Sequence, residues 1–163
     1  MVMKYHMLRH DKEITDEETL KKILKTAQYV TLAMIKDNEP YLVSLSQGYD
    51  EENHCIYFHS AKKGKKLDFM RANPVVWGQA LLDHGYVEIE CSHNYASVMF
   101  SGKVSFIEDK AERWKAISLM TRQLDPNAED MIANRKPESL DTAVIGKIKI
   151  DYWSGKKSQE VKV

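Results

Sequence analysis

The sequence predicts a mainly β protein, an antiparallel barrel or curled sheet of six to seven strands with helices flanking its openings. Three observations lead there. Apolar residues recur with a period of two along most of the chain, short polar turns separate those runs, and helical spacing is confined to three stretches. At 163 residues the chain is long enough for one good core and too short for two, so residues 1–163 read as a single domain.

Thr15-Asp-Glu-Glu18 reads as a capping box, and Leu20, Ile23, Leu24 and Ala27 follow at helical spacing, which predicts an amphipathic helix over 16–27. The period then changes to two. YVTLAMIK (29–36), YLVSLSQGY (41–49) and CIYFHS (55–60) form a meander, with turns at 37–40 and 50–53. GKKLDFMRAN (64–73) predicts a short helix closed by Pro74. VVWGQALL (75–82), a turn at Asp83-His84-Gly85, YVEIE (86–90) and ASVMFSGKVSFIE (96–108) continue the antiparallel pairing. Asp109 and Glu112 make a second capping pair, ahead of Trp114, Ile117, Met120 and Leu124 on one side of a helix ending near Asp125-Pro126. The polar segment 127–141 reads as loop or a loose helical turn. In TAVIGKIKIDYW (142–153), Val144, Gly146, Ile148 and Ile150 alternate with Lys147, Lys149 and Asp151, the pattern of a half-buried strand.

Charge narrows the function classes. Lys plus Arg and Asp plus Glu both number 24, so nothing draws the whole molecule toward nucleic acid or anionic lipid. Neither a signal peptide nor a membrane span is legible, and Cys55 and Cys91 have no metal or redox spacing, so a cytoplasmic, metal-free protein is expected.

The one local imbalance is HSAKKGKKLDF (59–69), with Lys62, Lys63, Lys65 and Lys66 in five positions. Such runs are commonly solvated faces. Here Lys65 and Lys66 fall in the first turn of the predicted helix, where the dipole disfavours each cation by roughly 0.3–1 kcal/mol. An anion would reverse that. Backbone amides, ammonium groups and the Ser60 hydroxyl could converge on one phosphate. This is not a nucleoside triphosphatase loop, because the first glycine of GxxxxGK would fall on His59 and Lys66 occupies the place of the metal-binding hydroxyl. On the strand before, Ser44 and Ser46 make one face small and hydrogen-bonding, which suits a planar heterocycle lying across the sheet.

The run NEPYLVSLSQGYDEENHCIYFHSAKKGKKLDFMRANPVVW resembles the pyridoxamine 5′-phosphate oxidase-like FMN-binding split β-barrels, most closely the branch with the nitroimidazole-resistance proteins. The similarity extends from the first helix to the last strand. It implies a homodimer with FMN between subunits, and oxidoreductase chemistry from reduced flavin to a small acceptor, with NAD(P)H as a donor. By the same resemblance Val43, Ser44, Leu45 and Ser46 meet the isoalloxazine ring, His59, Ser60 and Ala61 lie under the ribityl phosphate side, and Lys65 and Lys66 hold the phosphate. Gln79 offers an amide to the ring, Tyr95, Ser97 and Val98 reach it from the partner, and His59 is the substrate-side candidate for catalysis. Two alternatives stay open: a non-catalytic protein carrying FMN, haem or a deazaflavin, and a structural role for His59. The chain departs from the vitamin oxidases after Tyr152-Trp153-Ser154-Gly155. KKSQEVKV follows in place of their arginine- and histidine-containing segment, so oxidation of the vitamin itself is not expected.

Overall fold

In the computed structural model, which describes residues 7–136 and 141–163, the elements run β1 (Glu13–Ile14), α1 (Glu17–Thr26), β2 (Tyr29–Lys36), β3 (Glu39–Asp50), β4 (Cys55–Ala61), α2 (Lys65–Ala72), β5 (Val75–Val87), β6 (Ser92–Phe106), α3 (Lys110–Leu124), α4 (Ala128–Asn134) and β7 (Ala143–Lys157). All the strand pairs are antiparallel. Six strands close a ring in the order β7, β4, β3, β2, β5, β6 and back to β7, while β1 adds to the far end of β7.

The wall of this barrel is split. β3 pairs with β2 from Glu39 to Ser46 and with β4 only from Gln47 to Asp50. β4 continues beside β7 as far as Ala61, so the outer edge of β3 over 39–46 has no strand partner among the described residues. Inside, alternation sends Leu32, Leu45, Phe58, Phe100 and Ile148 into one core, which α1 closes at one end with Leu20, Ile23 and Leu24. Each such burial is worth roughly 1.5–3 kcal/mol. A second cluster lies outside the barrel, where Cys55, Tyr57 and Ile145 take Ala116, Ile117 and Met120 of α3. α3 lies so close to β3 that a Cβ at Gly48 would stand 2.9 Å from Met120 Cα.

Polar contacts fasten the helices. Nε2 of Gln47 donates to the carbonyls of Leu24 and Ala27 at 2.7 and 2.6 Å, and Nε2 of Gln123 reaches the same two oxygens at 3.0 and 2.9 Å. The end of α1 is thereby tied to both β3 and α3.

The mainly β barrel with flanking helices is as expected from sequence, and several local readings change. The cap of α1 is Asp16 rather than Thr15. Its carboxylate accepts from Thr19 N at 2.9 Å and Thr19 Oγ1 at 2.7 Å, a charged acceptor outcompeting the neighbouring hydroxyl for the first-turn amide. No turn interrupts Asp83-His84-Gly85 and no separate strand occupies 86–90. β5 absorbs Gly85, at φ +92°, as an irregularity between Asp83 and Tyr86, and the reversal comes at 88–91. Asp50 belongs to β3, its turn being Glu51–His54; the segment 127–141, read as loop or a loose helical turn, holds α4, and its residues 137–140 lie outside the described ones. Among the described residues no helix is long and apolar enough to cross a membrane.

Candidate functional site

The split sets two strand segments at the edges of one opening. On β3, Ser44 and Ser46 are exposed, while Leu45 is buried and Val43 packs at the edge of the core. Registers carry the exposed face across the sheet: Ser44 opposes Thr31, which opposes Gln79, which opposes Met99. The Thr31 and Ser44 hydroxyls lie 2.9 Å apart. The next row holds Leu42, Ala33 and Trp77. Tyr29, Leu42, Trp77, Leu81 and Met99 are all at least two-fifths exposed on this face, an unusual density of apolar surface for a solvated sheet. Tyr95 and Ser97 follow on β6, where Ser97 is buried with its hydroxyl 3.3 Å from the Lys156 carbonyl.

Across the opening, β4 ends in His59, Ser60 and Ala61, with His59 and Ala61 outward and Ser60 inward. The Ser60 hydroxyl is buried and has no hydrogen-bond partner among the described residues, an arrangement that costs about 1–3 kcal/mol where nothing else satisfies it. α2 begins four residues later. Gly64, at φ +139°, is its N-cap, a backbone setting that side chains rarely adopt, and among the described residues no side-chain hydrogen bond caps this helix. The amides of Leu67 and Asp68 bond the Gly64 carbonyl, which leaves those of Lys65 and Lys66 directed out of the helix start.

The two first-turn lysines point to different surroundings. Lys65 bonds Glu39 Oε1 at 2.5 Å, with its ammonium 4.9 Å from the Tyr41 ring centroid and 5.3 Å from that of Phe69. Part of the negative charge inferred from the sequence is therefore Glu39. Lys66 lies on the β4 side, near enough to act on His59. Crowding of the imidazole, together with Arg135 and Lys66, lowers the pKa of His59, so it is neutral at pH 7 although solvent reaches it.

Two recesses lie beside the end of β4 and the start of β7. Lys62, Arg71, Lys110 and Arg113 surround a cleft of about 590 Å³ together with Glu108 and Asp141. His59 lies on the wall of another, about 360 Å³, under α3 and α4. Arg71, Arg113 and Arg135 come to these places from three separate helical regions, and no local motif in the sequence marks them.

A model of the pyridoxamine 5′-phosphate oxidase family matches residues 16–157. Among solved structures the chain is similar to a proposed 5-nitroimidazole antibiotic resistance protein from Bacteroides thetaiotaomicron, with 24% identity and a TM-score of 0.74 over 93% of this chain and 95% of that one. It is also similar to an FAD-binding protein from Mesorhizobium loti, with 26% identity and a TM-score of 0.67 over 90% and 97%. An FAD- and haem-binding protein from Mycobacterium smegmatis gives 20% and 0.76 over 93% and 76%. At these identities the likeness is one of fold. No curated protein matches the sequence.

Proposed function

Since the chain belongs to the pyridoxamine 5′-phosphate oxidase family, we propose that it is an FMN-binding flavoprotein, an oxidoreductase passing electrons from reduced flavin to a small organic acceptor. The observation that carries this reading is the split itself: an unpartnered strand edge and a buried, unsatisfied Ser60 hydroxyl stand beside an uncapped, lysine-rich helix start.

The residues present fit the group. A ring whose edge alternates carbonyl oxygens and N–H groups can extend an open strand edge, so the backbone of Val43 to Ser46 would bind it, with Ser44, Ser46 and Gln79 lending side chains. Its phosphate would take the Ser60 hydroxyl, the amides of Lys65 and Lys66 and the surrounding ammonium groups. Lys65 gives up an exposed pairing with Glu39 to join them, which costs little, since such pairs are worth about 0–1 kcal/mol. The flavin, when bound, supplies two-electron transfer. His59, neutral at pH 7, accepts a proton at an imidazole nitrogen or hands one on. The exposed apolar face through Trp77 and Met99 is proposed as the homodimer interface, which would bring Tyr95 and Ser97 of a second copy toward the ring.

One other reading has support. The FAD- and haem-binding relative shows that this fold carries more than one pigment, which leaves room for a non-catalytic carrier. The absorption spectrum of the purified protein, followed by assays of NADH or NADPH oxidation with small organic acceptors, separates the two. Flavin bands with turnover are expected; a Soret band, or flavin without turnover, would favour the carrier.

A further inference from the structure

We propose that the cavity between β4 and the α3–α4 pair is the substrate pocket of the proposed flavoprotein, and that it takes a flat, largely apolar organic anion whose acidic group docks between Arg135 and His59. The inference rests on the flavin reading for the word substrate, and on the cavity alone for the ligand class.

The walls set the body of the ligand. Ile117, Met120, Leu124 and Met131 line a space of about 360 Å³, within the range of small-molecule sites. The two methionines give an adaptable surface suited to rings. The polar groups set its charge. Arg135, at the end of α4, makes no side-chain hydrogen bond or ion pair among the described residues, whereas Arg122 nearby is paired with Glu129 at 2.7 and 3.2 Å. The imidazole of His59 likewise makes no hydrogen bond among the described residues. Asp125, the one carboxylate of the lining among the described residues, already accepts from the amide of Asn127 at 2.8 Å. The charges that act on the imidazole are Arg135 and Lys66, both positive. Arg135 is on the exposed part of this lining, where an anionic group on the ligand would give it a charge-assisted contact. His59 precedes Ser60 on β4 and faces the opposite side of it, so this ligand would lie across the strand end from the Ser60 hydroxyl.

Calorimetric titration of the protein as purified with 2-naphthoate, and with the uncharged 2-naphthamide, tests this directly. The wild type should bind the acid at least about tenfold tighter than the amide, the worth of one charge-assisted contact. Arg135→Gln should erase that preference and leave amide binding unchanged. Met131→Trp, which fills the cavity from an exposed helix position, should weaken both at least about tenfold, and FMN affinity should be unaltered in both variants. Equal binding of acid and amide by the wild type would overturn the inference, as would unchanged acid affinity in both variants. If FMN fails to bind while the naphthoate pattern holds, the flavin reading falls and the anion pocket stands. If FMN binds and no preference for the acid is seen, only the pocket falls.

Discussion

Lys65 and Lys66 are adjacent in sequence and do different work in the structure. In sequence terms both are cations at the wrong end of a helix, where an anion is wanted. Glu39 partly answers that need for Lys65, and Tyr41 and Phe69 pack beneath its ammonium. Lys66 has no such partner among the described residues. We therefore expect Lys66→Ala to weaken FMN binding by about 1.5–3 kcal/mol, the worth of a hydrogen bond to a charged group, and Lys65→Ala to cost clearly less. Fluorescence titration of both variants checks this, and equal losses would place the phosphate symmetrically between the two. The basic start of α2 and the serine alternation were legible because each is a local pattern. The pairing of Lys65 with Glu39 was not, since the two meet only when α2 folds across the split toward the first residues of β3.

Elements were legible where one face is buried and the other wet. The alternation of β2, β3 and β7 exposes the period plainly, and Asp109 caps α3 as its spacing suggested, accepting from Glu112 N at 2.8 Å. Misreadings came where glycine served an irregularity instead of a turn, at Gly85, and where an element was too short to show a period, as in β1 and α4. A contact between elements carries a pH prediction. Asp50, at the end of β3, is buried, and its carboxylate receives Lys115 of α3 at 2.9 Å as well as Asn53 N and Nδ2 at 3.1 and 2.8 Å. Burial pushes this carboxyl up, but the bonds from Lys115 and Asn53 outweigh it and hold the pKa at about 2. The folded state thus binds fewer protons than the unfolded one. The resulting stability, about 2 kcal/mol, is present in full above roughly pH 4 and is lost as pH falls toward 2. Denaturant melts of the wild type should show that loss; in Lys115→Ala it should be smaller, with stability at pH 7 reduced by about 1–2 kcal/mol. An unchanged acid profile would mean that Lys115 does not hold α3 to β3.

At the scale of the whole molecule, the barrel presents one outer face that a solvated sheet would not carry, with Trp77, Leu81 and Met99 exposed beside Thr31, Ser44 and Gln79. That mixture of apolar area and small polar groups suits a surface that meets a second copy and a ring at once. If the proposed dimer forms through this face, Trp77→Glu should sediment as a monomer where the wild type sediments as a dimer, and should weaken FMN binding with it; a variant that stays dimeric would move the interface elsewhere. The central proposal is that the split holds a phosphorylated flavin by its phosphate. Titration of flavin-free protein with FMN and, separately, with riboflavin, which lacks only the phosphate, tests this most directly. FMN should bind at least about a hundredfold tighter, since several charge-assisted contacts are at stake; equal affinities, or binding of neither, would contradict the assignment.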